Sequence, residues 1–167
     1  MSYDVNMRSL GGNIMATCMF IGNHESSDKI YLTLLAVTEE LILKENVSTF
    51  YVGNNGTFDN LAQKALFHLK QKYPEIKAYT VLAYIPGKES PYESSSLLET
   101  LYPEGLEKVP PRYAINHRNR WMLERSSFVI THPSLLGNSL KLAAKARLSG
   151  KTVIDISQEA EDIFPLK

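Results

Sequence analysis

The chain of 167 residues holds a single cysteine, Cys18, and that scarcity removes two architectures at once. No intrachain disulfide framework is possible, and no cysteine-based zinc site can form. Cys18 lies in the apolar string ATCMFI, which suits a small core residue better than a nucleophile. Net charge is equally absent. Eighteen Lys and Arg balance eighteen Asp and Glu, so the electrostatic footprint of a duplex-binding protein is missing. Nucleic acid is therefore disfavoured as a partner, with room left for a local basic patch. No apolar run approaches the roughly 20 residues of a membrane span, and no charged segment precedes a signal-like stretch. No membrane partner is expected, and the reading is cytoplasmic. Several motifs are missing too. Neither GxGxxG nor GxxxxGK[ST] occurs, which excludes a dehydrogenase-type dinucleotide turn and a Walker loop. Without GxSxG, Ser134 and Ser139 have no nucleophile-elbow context. His24, His117 and His132 lack a local ligand pair such as HExxH, so no metal is expected, and no cofactor.

What is present is a repeated strand, turn and helix. Residues 1–14, with Gly11-Gly12 and no apolar period, read as a leader or remnant ahead of one domain over residues 15–167. Met15 to Ile21 reads as a buried first strand. A helix of about Lys29 to Glu45 follows, capped by Ser26, Ser27 or Asp28, with Ile30, Leu34, Val37, Leu41 and Ile42 at helical spacing. Val47 to Val52 is β-branched and aromatic, a second strand. The helix of about Asp59 to Lys72 buries Leu61, Ala65, Leu66 and Leu69, and Ile76 to Ile85 is the third strand. After a proline-rich stretch come a helix at Tyr113 to Arg125, a strand at Phe128 to His132, a helix at Ser139 to Ser149 and a strand at Thr152 to Ile156. This order predicts an α/β fold, a doubly wound and mostly parallel sheet flanked by helices, with right-handed crossovers. Residues 86–111, with five prolines and the serine run Ser94 to Ser96, are too long for a plain connection. They are expected to form a flap over the crevice, with a short helix near Ser95 to Leu101.

Binding residues of such a sheet lie on the turns after its strands. Gly22-Asn23-His24, Gly53-Asn54-Asn55-Gly56-Thr57 and Pro133 to Ser139 (with Gly137, Asn138 and Ser139) are rich in Gly, Asn, Ser and Thr. Small residues let a phosphate approach the backbone, and amide side chains can bond sugar hydroxyls or base edges. Each turn taken alone is better explained by the positive φ that tight turns need, and it is three such turns on one edge that point to a site. Arg118 and Arg120 precede the fourth strand. Arg118 shares a helix face with Met122, and Trp121 shares another with Arg125. One of Arg118 and Arg120 points into the crevice and binds phosphate while the other is solvated or pairs with Glu124, or both belong to a surface salt-bridge face.

These residues resemble the SLOG superfamily, Rossmann-like proteins that include the LONELY-GUY phosphoribohydrolases and the DNA-processing Smf proteins. The resemblance rests on Asn116-His117-Arg118-Asn119-Arg120-Trp121-Met122, Ser126-Ser127, Ala143-Ala144-Lys145-Ala146 and Gly150-Lys151-Thr152-Val153-Ile154, and spans about Ala16 to Ile156. The family's first turn commonly reads Thr-Gly-His-Arg, here Ile21-Gly22-Asn23-His24. Its second commonly reads Gly-Gly-Ala-x-Gly-x-Asp, here Gly53 to Asp59. A small bacterial or phage-associated branch is the nearest in pattern. The resemblance implies a nucleotide or nucleotide-derived ligand with phosphate at the glycine turns and Arg118 pairing with it. In the hydrolase branch a Pro-Gly-Gly-x-Gly-Thr-x-Glu-Glu turn supplies glutamates, and here Leu140 and Lys141 stand in their place. Binding, as a sensor or sequestering protein, is thus expected over turnover. Asp59 is the one remaining crevice carboxylate. It could hold a ribose hydroxyl, act as the base of an N-glycosidic hydrolase, or simply favour the positive end of a helix dipole. A protein-interaction module with a vestigial crevice is the third reading. Trp121 with Leu135-Leu136 offers an apolar patch for a homodimer or higher oligomer, or for the core.

Overall fold

Six strands form one sheet in which every neighbouring pair is parallel. A computed structural model describes residues 15–85, 97–132 and 137–157. Its strands are β1 (Ala16–Gly22), β2 (Val47–Val52), β3 (Lys77–Val81), β4 (Glu99–Leu101), β5 (Phe128–His132) and β6 (Thr152–Asp155). Its α-helices are α1 (Tyr31–Lys44), α2 (Thr57–Lys72), α3 (Ala114–Glu124) and α4 (Asn138–Leu148). The spatial order is β4-β3-β2-β1-β5-β6. The chain winds outward from β1 to β4, then returns to the far side of β1, so strand order reverses between β1 and β5. A reversal of this kind opens a crevice at the carboxyl ends of the two strands.

Each face of the sheet has its own apolar cluster, which explains why β1 reads as an unbroken apolar run. Cys18 and Phe20 pack with Leu34 and Val37 of α1 and Leu66 and Leu69 of α2. Met19 and Ile21, pointing the other way, pack with Met122 and Leu123 of α3 and Ala146 of α4. Burying each large apolar side chain contributes about 1.5–3 kcal/mol, so the two clusters fix strand register as well as stability. Cys18 is fully buried, and burial pushes its thiol far above the ordinary range, as a core residue requires. Among the described residues no helix is long and apolar enough to cross a membrane.

The strands β2 and β5 begin and end where the sequence pattern places them. The first helix starts in a 3-10 turn, Asp28–Ile30, and of the three capping candidates Ser27 acts: its Oγ accepts from the Lys29 N–H at 3.3 Å. Two expectations are corrected. The third strand stops at Val81 and not at Ile85, because the Val81 carbonyl accepts from an arginine while Leu82 N–H makes a last bond to the Leu101 carbonyl, 2.8 Å. The short helix expected near Ser95 to Leu101 is instead strand β4 over its final residues, with Glu99, Thr100 and Leu101 paired to Tyr79, Thr80 and Val81. The open edge of β3 presents backbone groups that need partners, and satisfying them outweighs local helix propensity. Of the expected flap, residues 86–96 lie outside the described residues, as does the expected leader over residues 1–14.

Candidate functional site

The turn after β2 is built around a buried arginine. Arg118, on α3, shares the inward face with Met122, and only 2% of its surface is exposed. Its guanidinium is held on three sides. Nη1 donates to the Val81 carbonyl at 2.9 Å, Nη2 to Asn55 Oδ1 at 3.0 Å and Nε to Asn119 Oδ1 at 2.9 Å. Asn55 N–H in turn donates to Asp59 Oδ2 at 2.9 Å, and Gln63 Nε2 donates to the Gly53 carbonyl at 2.8 Å. Gly53 lies between the two charges. A Cβ there would stand 2.7 Å from Arg118 Nη1 and 2.8 Å from Asp59 Oδ2, so glycine is demanded by close approach. Burial raises the carboxyl pKa of Asp59, against the pull of the Arg118 charge and the Asn55 N–H. Burial lowers that of Arg118, opposed by Asp59, and a guanidinium remains protonated through such a shift.

The first turn is tied to the second. His24 Nδ1 donates to the Asn55 carbonyl at 3.0 Å, and Thr57 N–H donates to the His24 carbonyl at 2.9 Å. Gly56 precedes α2 with φ +102°, and a Cβ on it would lie 2.4 Å from His24 Nδ1. Gly22 is packed under the Phe58 ring, where a Cβ would come within 2.3 Å. Asn23 N–H donates to the His132 carbonyl at 2.9 Å and so carries the connection to β5.

At the β1/β5 edge the bonding is incomplete. Thr131 is fully buried, yet among the described residues its Oγ1 has no hydrogen-bond partner, and neither has the buried Nδ1 of His132. A buried polar group left unpaired costs about 1–3 kcal/mol, which makes such atoms informative. By strand alternation Thr131 shares the face of Val129, where α4 packs, and His132 shares the face of Ile130, where α2 packs. Each of these helices begins after a glycine, Gly137 or Gly56, with no capping side chain. Two helices whose N-termini carry partial positive charge thus pack on the two faces that hold these atoms.

No family profile matches the chain, and no curated protein matches it. Among solved structures it is similar to DNA processing protein A from Helicobacter pylori, described for its single-stranded DNA binding mode. Identity is 16% and the TM-score 0.56, over 89% of this chain and 72% of that one. The likeness shows a Rossmann-like fold. It also corrects one expectation. Zero net charge by itself disfavours nucleic acid as a partner, but a protein of this fold is described as binding single-stranded DNA. A sum of charges over a whole chain does not report their local distribution.

The residues expected at the site separate into groups. His24, Gly53, Asn55, Gly56, Thr57, Asp59 and Arg118 are joined by the contacts above, with Asn54 half-buried on the same turn, while Gly22 packs on Phe58 and Asn23 bonds to His132. Gly137 and Asn138 are exposed and Ser139 buried at the start of α4, while residues 133–136 of that turn lie outside the described residues. Arg120 is exposed on α3, and Glu124 lies 3.9 Å from Arg125. Arg125 itself caps the Trp121 ring at 4.1 Å. Leu140 is 41% exposed, and Lys141 is exposed beside it. Sequence reasoning missed Thr131, Asn119 and Gln63. A lone threonine at the carboxyl end of an apolar central strand was the available signal for the first.

Proposed function

We propose that the carboxyl edge of the sheet binds a phosphate-bearing nucleotide unit, and that single-stranded nucleic acid is the form in which it is met. The observation that carries this is Thr131 Oγ1 at the strand-order reversal, buried and unpaired among the described residues, on the face where α4 packs and starts without a side-chain cap. A phosphate oxygen there would accept from the hydroxyl and from helix N–H groups. The shared fold with a protein described as binding single-stranded DNA supports the choice of ligand. Within this reading Arg118 shapes the second turn and lends it positive charge, because its three nitrogens already serve protein acceptors. Membership of the SLOG superfamily belongs to the same reading.

Titration of a labelled oligothymidylate by fluorescence anisotropy at low and raised salt tests it. Binding that weakens with salt and falls about tenfold in Thr131→Val is expected. Absence of binding at low salt would refute the reading. A second reading, capture of a free nucleotide, is favoured by the confinement of the unpaired atoms to one strand end. Calorimetry with nucleoside monophosphates separates the two, since tight binding of a monomer would select it. Release of free base in the same mixtures would instead mark an N-glycosidic hydrolase.

A further inference from the structure

Beyond the phosphate position, the β3 end of the same edge carries two tyrosines that the core does not use. Tyr84, three residues past the Val81 carbonyl that Arg118 holds, is 45% exposed, and so is Tyr113, the residue before α3. Isolated surface tyrosines are ordinary. These two are linked, because Tyr84 is tied to the turn that ends at Tyr113. Tyr84 Oη donates to the Pro111 carbonyl at 2.9 Å, and Pro111 opens the 3-10 turn that ends at Tyr113. The Arg112 guanidinium lies over the Tyr113 ring, 4.7 Å from its centroid. His117, one turn beyond Tyr113, is exposed on the same helix face.

Anchored, half-open rings accompanied by a cation are what unpaired bases require. Stacking uses the π-face that every base has, and pre-fixed rings lose little freedom on binding. A duplex hides those faces, so the feature selects single strands. We propose that Tyr84 and Tyr113 form a stacking platform for unpaired bases of a single-stranded nucleic acid, with Arg112 meeting an adjacent phosphate. This rests on the reading that a phosphate of the same strand is held at the β1/β5 edge.

The test compares a short oligothymidylate with an abasic sugar–phosphate oligomer of equal length, by anisotropy on the full chain. The wild type should bind the abasic oligomer about tenfold more weakly. Tyr84→Ala and Tyr113→Ala should each lower oligothymidylate affinity about tenfold and leave abasic affinity unchanged, which also controls for folding. Tyr84→Trp and Tyr113→Trp should restore binding. Equal wild-type affinity for the two oligomers, or full oligothymidylate affinity in both alanine variants, overturns the platform and leaves the edge reading standing. No binding of either oligomer overturns both.

Discussion

The turn after β2 and the edge between β1 and β5 lie on the same rim of the sheet and differ in one respect. In the first, polar groups find partners within the protein: Arg118 serves Val81, Asn55 and Asn119, and Asn55 serves Asp59. In the second, Thr131 Oγ1 and His132 Nδ1 are buried without partners among the described residues. The most conspicuous charged residue of the rim is thus committed to structure, and it is an inconspicuous threonine that we propose as the ligand group. A folded domain has only a few kcal/mol to spare, so unpaired buried atoms are kept where they serve something.

Breaking the closed region should have the largest effect. Arg118→Ala would bury Asp59 without its compensating charge and orphan the Val81 and Asn55 acceptors, and should cost about 3–5 kcal/mol in urea unfolding. Arg118→Lys should not restore it, because a single ammonium cannot reach three acceptors in the guanidinium's plane. If Arg118 were a free ligand group, both variants would unfold near the wild-type midpoint. Gly56→Ala comes next. With φ +102° and the His24 carbonyl 2.8 Å from the new Cβ, about 2–3 kcal/mol should be lost.

A smaller effect follows from Asp59. Its folded pKa is raised by burial, so between the unfolded and folded values the folded chain keeps a proton that the unfolded chain has released. That contribution is complete below the unfolded value of about 4 and is lost as pH rises through the folded value. Wild-type stability should therefore decline with rising pH across that interval relative to Asp59→Asn, measured by urea unfolding at a series of pH values. An identical pH profile for the two proteins would remove Asp59 from the network.

Much of this architecture was legible in the sequence. The β-branched and aromatic run at Val47 to Val52 and the apolar Phe128 to His132 mark strands because both faces of a parallel sheet are covered. The four-residue spacing put Arg118 and Met122 on one helix face, and burial shows that face to be the inward one. Strand β4 was hidden, because its three residues are strand only through pairing with β3, a partner distant in sequence. The unpaired state of Thr131 was hidden for a related reason: spacing shows that a hydroxyl ends a strand but not which groups surround it. Arg118 could be placed at the second turn, yet its saturation by Val81 and Asn119 depended on where β3 ended.

The contrast between the two regions is tested most directly by Thr131→Val, followed by urea unfolding with and without oligothymidylate. The variant removes an unpaired buried hydroxyl while keeping its shape. It should be as stable as the wild type or more stable by up to about 1 kcal/mol, and should lose most of the stabilisation that the oligonucleotide confers. A destabilised variant that retains the full oligonucleotide effect would contradict the account.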